Sequence, residues 1–258
     1  MRRFCLTLLL VGFVVLPGRA QPEPESTRVV VHAAANDAKL LHDPVGGAHI
    51  RIVNTETGAV LAEGVQRGTS GDTEKIMRQP QRRGTSIYDT PNAATFETTL
   101  LLERPTTVTV TAVGPRDFPK AQQRTSKTLT LVPGQHVTGD GIVLTLHGFI
   151  VEVLDPPSRG IETGDTLDVR ARVRMMCGCP TEPGGLWDAD RYTIRAELIG
   201  PDGGVVTRSP LTFAGTTSEY TGTIRVPESG ATQLRVVAID AERANAGTAT
   251  VDLMPVSE

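Results

Sequence analysis

Two cysteines two residues apart carry the strongest hint of chemistry in this chain. In "LDVRARVRMMCGCPTEPGGLWDADRY" (167–192), Cys177 and Cys179 follow directly on Met175 and Met176. A glycine between the cysteines lets both sulfurs reach one small object. Soft sulfur ligands select Cu(I) and, less often, Zn(II). Cys177 and Cys179, joined by Met175 or Met176, would therefore suit a two- or three-coordinate Cu(I) site. The same pair could form a labile disulfide that exchanges with thiols. No helix N-terminus is expected beside either cysteine to depress a thiol pKa, which weakens that reading. The plainest alternative is a local disulfide pinning the end of a strand. It would close so small a loop that it gains little chain entropy.

The loop that follows holds Trp187, the chain's only tryptophan, with Asp188 and Asp190 two apart. Trp187 is expected to fold back on the core or on the Cys-Gly-Cys. Calcium takes several oxygens from one loop, and Glu182 and Asp202 are the only plausible additions to the two aspartates. Otherwise this is a solvated turn whose carboxylates pair with Arg191 or Arg195. The five histidines, His32, His42, His49, His136 and His147, form no H-x-H or H-x-x-x-H pair. His32, His42 and His49 could still converge on copper or zinc, since they belong to neighbouring segments.

Residues 69–94 are a second candidate. This polar stretch of 26 residues is long for a structureless connection, and such segments are often functional or mobile. Arg78, Arg82 and Arg83 make it a candidate partner-binding loop, with Ile87 and Tyr88 as anchors. Packing across a sheet is a third option. Arg170, Arg172 and Arg174 form an outward basic row, flanked by Arg195 and Arg235. Its bland reading is a solvated face laced with Asp168 and Glu197; its sharper one is docking to an acidic partner. No G-x-S-x-G, H-E-x-x-H, Walker or dinucleotide-binding pattern occurs. An enzyme is therefore not the leading reading.

These residues need elements to hold them, and strand signals dominate. In 167–175, Leu167, Val169, Ala171, Val173 and Met175 fall on one face, and Asp168, Arg170, Arg172 and Arg174 on the other. Strict alternation marks a half-buried antiparallel strand. If the chain stays extended, Cys177 and Cys179 keep the inward parity and Met176 points out. Six short β-branched segments precede His147 and seven follow it, bounded by Gly, Pro, Asn or Asp. Convincing helical periodicity is absent, and the best helix candidate, at 34–42, is short. The class is all-β, in two tandem sandwiches expected at about 26–146 and 147–256. No flexible linker lies between them, so they should be closely coupled.

The N-terminus reads as a secretory signal peptide over residues 1–20, with Arg2 and Arg3, an apolar run, then Gly18-Arg19-Ala20. The apolar run is short for a span of about 20 residues. Its removal takes three arginines, leaving 23 Lys+Arg against 29 Asp+Glu and a net charge of −6. No basic block points to nucleic acid, and no later stretch could span a membrane. The expected location is periplasmic or extracellular, and the expected partner another envelope protein.

The line "DPVGGAHIRIVNTETGAVLAEGVQRG" (43–68) resembles the transthyretin-like or carboxypeptidase-regulatory-like β-sandwich modules of exported proteins. Pro44, Val45, Gly47, Ala48, Ile50, Ile52, Thr57, Gly58, Val60, Leu61, Ala62 and Gly64 carry the match. It implies two strands joined by a turn. Residues 69–94 depart from the pattern, where a short turn would return the chain. The second half resembles Ig-like or fibronectin-type domains in strand count and in its "EYTGTIRVPESGATQLRVVAID" ending, a likeness of architecture that implies no activity.

Overall fold

A computed structural model describes residues 23–156 and 160–254. The expected signal peptide, part of the 155–165 connection and the last four residues lie outside the described residues. Among the described residues, fifteen strands make up an all-β structure of four sheets. β1 (Glu25–Ala35), β4 (Phe96–Leu102) and β7 (Val137–Leu146) form a sheet in the order β4-β1-β7. β2 (His49–Asn54), β3 (Val60–Val65), β5 (Thr106–Gly114) and β6 (Gln123–Leu131) form one in the order β3-β2-β5-β6. These two sheets face each other. The pairing of β1 with β7 is parallel and the remaining ladders of this pair of sheets are antiparallel.

The second pair of sheets follows without a spacer. β8 (Phe149–Leu154), β9 (Thr166–Met175), β12 (Thr212–Phe213) and β13 (Glu219–Arg225) run in the order β12-β13-β9-β8. β10 (Thr193–Ile199), β11 (Val205–Pro210), β14 (Gln233–Asp240) and β15 (Asn245–Asp252) run in the order β11-β10-β14-β15. The sequence reads 204–213 as one strand. It is two, because the chain changes sheets at Pro210–Leu211, pairing first with β10 and then with β13. Proline cannot continue an interior ladder, and Leu211 is buried at the corner.

Alternation explains the core. Leu167, Val169, Ala171, Val173 and Met175 of β9 are all buried, as are Ile194, Ala196 and Leu198 of β10 and Leu234, Val236 and Ala238 of β14. One buried cluster runs through both sandwiches. Leu41 and Val45 from the first belong to it, as do Met176 and Cys177 from the second.

The short helix candidate at 34–42 does not form a helix. β1 continues to Ala35, and Asn36-Asp37 reverse the chain with Asp37 at φ 52°. The Ala38 N–H donates to the Ala35 carbonyl at 3.1 Å, and Leu40 pairs back with Ala34. Asn and Asp tolerate the left-handed conformation that such a turn requires. Leu40 and Leu41 are then buried on the returning arm, which outweighs their helical propensity.

Candidate functional site

The Cys-Gly-Cys stretch lies at the tip of a tight hairpin. β9 ends at Met175, whose carbonyl accepts from the Gly178 N–H at 2.7 Å, and whose N–H donates to the Cys179 carbonyl at 3.0 Å. Arg174 then bridges to Pro180. Gly178, at φ 76°, takes the left-handed position that closes a three-residue hairpin loop. The strand parity expected through Cys179 therefore stops at Met175, because Met176, Cys177 and Gly178 are the turn itself.

That reversal corrects the placement of Met176. Expected on the outer face, it is 0% exposed. Gly148, between β7 and β8, has φ 147°, and a Cβ there would lie 2.8 Å from the Met176 sulfur. The methionine thus fills the space left by a bare glycine at the junction of the two sandwiches. Met175 lies in the second core, where the Tyr192 hydroxyl approaches its sulfur at 3.7 Å. Burial pushes the Tyr192 pKa up to about 12.

Cys177 and Cys179 are joined as a disulfide, 0% and 6% exposed. A Cβ at Gly178 would lie 2.8 Å from Val45 Cγ1 and 3.9 Å from His42 Nε2. The hairpin tip therefore rests against the short helical turn Asp43–Val45 of the first sandwich. Around it the contact between sandwiches is polar and specific. The Trp187 indole Nε1 donates to the Asp37 carbonyl at 2.9 Å. The Asn36 amide donates to the Arg243 carbonyl at 2.6 Å, and Arg243 pairs with the Asp37 carboxylate. The Gly148 N–H donates to Asn245 Oδ1 at 3.0 Å. The Arg174 guanidinium stacks over Phe118 at 5.0 Å, a cation–π contact, and pairs with Glu152 at 2.7 Å.

The remaining sequence candidates are dispersed. Asp188 accepts from the Gly184 and Asp190 N–H groups, so it orders its own loop, while Asp190 is exposed. Arg191 reaches Glu242 at 3.6 Å, not these aspartates. His32, His42 and His49 do not converge. His32 bonds Asp140 and Thr95, and His42 lies beside the Cys177 backbone. Among the described residues, no group of three or more His, Cys, Asp or Glu is placed to hold a metal ion.

The arginine row has other partners than expected. Glu219, on the neighbouring β13, accepts from Arg170 and Arg172 at 2.8 Å each, and Arg170 also pairs with Asp155. Arg195 and Arg235 do not flank this row, since β10 and β14 belong to the opposite sheet. There they meet Arg208 at the Glu197 carboxylate, which is 2% exposed. Burial alone would raise the Glu197 pKa. Hydrogen bonds from Arg195, Arg235 and Arg208 instead hold it down at about 2.

The segment 69–94 packs across the outer face of the β4-β1-β7 sheet, and one side chain orders its 86–89 turn. The Asp140 carboxylate on β7 accepts from the Ser86 hydroxyl and from the N–H groups of Ile87, Tyr88 and Asp89, at 2.9, 2.6 and 3.2 Å for the three amides. Burial would raise the Asp140 pKa, but these bonds hold it below the ordinary carboxylate value. Beside it the Tyr88 ring stacks on His32, with centroids 6.0 Å apart. His32 Nδ1 faces the Asp140 carbonyl at 3.1 Å and so must donate. In the neutral ring Nε2 then accepts from the Thr95 hydroxyl at 2.8 Å. Burial holds the His32 pKa below its ordinary value, which agrees with a neutral ring.

Tyr88 is thus an inward anchor, while Arg78, Arg82 and Arg83 are exposed. Arg78 is occupied by Glu74 at 2.6 Å. Asp140 escapes the sequence reading, since an isolated Asp beside a Gly in a strand gives no signal of the loop it will hold; His32 stands out in the sequence only as a possible metal ligand, not as the ring on which Tyr88 stacks.

No family model matches this chain, and no curated protein matches it. Solved structures similar to it include a complex of Dpr2 Ig1-Ig2 with DIP-Theta Ig1-Ig3, at 8% identity and TM-score 0.28, covering 89% of this chain and 100% of that one. Bovine butyrophilin is similar at 8% identity and TM-score 0.24, covering 88% and 98%. Escherichia coli alpha-2-macroglobulin activated by porcine elastase is similar at 10% identity and TM-score 0.21, covering 92% and 22%. Likenesses at these scores carry no argument. Among the described residues, no helix is long and apolar enough to cross a membrane.

Proposed function

We propose that this chain is an exported, non-enzymatic binding protein of the cell envelope, with 69–94 as its recognition segment. One observation carries the reading. A long polar stretch without regular strands is held against a sheet by Asp140, and it presents Arg82 and Arg83 to solvent. Recognition residues are commonly loops held by a rigid scaffold, since ordering the loop beforehand reduces the entropy cost of binding. The export pattern at residues 1–20 supports the location. The copper-handling and thiol-exchange alternatives draw no support from a sulfur pair enclosed between two sandwiches. A metal or an attacking thiol would first have to part the hairpin tip from Val45 and His42.

The test is site-specific photocrosslinking in cells that export the protein. A photoreactive residue in place of Arg83 should give a discrete protein adduct. The same residue in place of Thr130, exposed on β6, should give none. Absence of any adduct at 83, with the protein folded and exported, sinks the proposal.

A further inference from the structure

The recognition segment also indicates the chemistry of its partner. Residues 75–88 contain Lys75, Arg78, Arg82 and Arg83 and not one Asp or Glu, in a chain whose net charge is negative. Arg78 is spent on Glu74. Among the described residues, no carboxylate pairs with Lys75, Arg82 or Arg83. Two other arginine clusters are neutralised within the fold, although Arg124 and Lys127 on β6, like Lys75, Arg82 and Arg83, have no carboxylate partner among the described residues. Arg170 and Arg172 share Glu219, and Arg195, Arg208 and Arg235 share Glu197.

Two of these cations border a concavity of about 280 Å³. Lys75 and Arg82 line it, with Gln79, Pro80, Thr85 and Ile87. Its floor is the stretch that Asp140 immobilises, so Ile87 is held in place before any ligand arrives. No acidic side chain lines the concavity.

We infer that this concavity docks an acidic segment of a partner protein, with one carboxylate side chain entering between Lys75 and Arg82. This rests on the binding function proposed above and names the partner's chemistry. Guanidinium and ammonium groups pair with carboxylates through charge-assisted hydrogen bonds, and the apolar walls at Pro80 and Ile87 suit the methylenes of a Glu side chain. A protein segment fits better than an anionic membrane because the site is concave, and a lipid surface does not enter a pocket.

The probe is fluorescein-labelled octaglutamate, with octaglutamine as the neutral control, titrated with the whole mature chain and read by anisotropy. Octaglutamate should bind and octaglutamine should not. Binding should fall steeply towards about 0.5 M salt, where exposed charges are screened within a few ångströms. Arg82→Glu with Arg83→Glu should lose at least about tenfold in affinity, as expected when like charges are set opposite an anionic ligand. Arg124→Glu with Lys127→Glu changes the net charge equally on exposed β6 and should keep binding within about twofold, since a pocket contact is local whereas the overall field is shared.

Equal loss in both double variants overturns the inference, because the whole field and not the pocket would then bind. Preference for phosphatidylglycerol vesicles over octaglutamate also overturns it, making a membrane the ligand. If octaglutamate fails to bind while position 83 crosslinks a protein, this inference fails and the binding function stands. If neither occurs, both fail.

Discussion

The indole nitrogen of Trp187 donates to the main-chain carbonyl of Asp37 across 150 residues of sequence, at 2.9 Å. This bond ties the loop after the Cys-Gly-Cys hairpin to the turn that ends β1, so the two sandwiches meet through the tips of two tight turns. The disulfide lies inside that meeting, with Val45 and His42 against Gly178.

Trp187 should therefore report on the junction. It is the only tryptophan, so its emission is that of one site. Emission should be blue-shifted in the folded chain and move red on unfolding. Trp187→Phe keeps most of the packing and loses one hydrogen bond, costing about 1 kcal/mol. Trp187→Ala should cost about 3 kcal/mol, as for other buried aromatics truncated to Ala. Urea unfolding followed by circular dichroism measures both. A Phe variant as damaged as the Ala variant would show that the hydrogen bond, not the packing, holds the loop.

Glu197 makes stability fall in acid. Its folded pKa is about 2, below the ordinary value of 4.5. A depressed carboxylate pKa stabilises the fold above the ordinary value, and that contribution disappears as pH falls from about 4.5 towards about 2. Glu197→Gln removes the titration and flattens this part of the profile. Glu197→Ala leaves three arginines without their buried partner and should cost about 3 kcal/mol at neutral pH. Thermal unfolding of the wild type and both variants between pH 2 and 7 checks the direction.

Asp140→Ala should free the 86–89 turn without unfolding the sheet, because β7 keeps its backbone pairing with β1. Trypsin should then cut after Arg82 and Arg83 at least about tenfold faster, since local opening governs cleavage when the rest stays folded. Global stability should fall by only about 1–2 kcal/mol, in line with the loss of hydrogen bonds to a charged group. Unchanged cleavage would mean that Tyr88 stacking on His32 suffices to hold the segment.

Gly178→Ala tests the hairpin tip. The residue has φ 76°, and the new Cβ would lie 2.8 Å from Val45 Cγ1. The left-handed conformation alone costs a non-glycine residue about 1 kcal/mol, and the overlap adds to it. Val45→Ala removes the atom that clashes. The double variant should therefore be less destabilised than the sum of the single changes, by at least about 0.5 kcal/mol. Additive effects in chemical denaturation would place the hairpin tip away from Val45.

The alternation of β9 was legible residue by residue. Its five inward positions are all buried, and the strand ends at Met175 where the periodic pattern stops. The helix candidate at 34–42 gives way to a turn, because Asn36-Asp37 favour one and Leu40 and Leu41 are buried on the returning arm. The outward Met176 failed for a related reason. Parity holds only while the chain stays extended, and Gly178 lets it reverse.

The sequence by itself determined the all-β class, the faces of the main strands and the odd position of the Cys-Gly-Cys at a strand end. These follow from local sterics and from hydrophobic alternation, which neighbouring residues encode. The tertiary structure alone decided who meets whom: Glu197 with three arginines from β10, β11 and β14, Asp140 with the backbone of 87–89, and Trp187 with Asp37. Periodicity states which side of a strand a residue occupies. Which strand or loop lies across from it depends on how sheets stack and chains cross, and that is settled only when distant segments bury their apolar faces together.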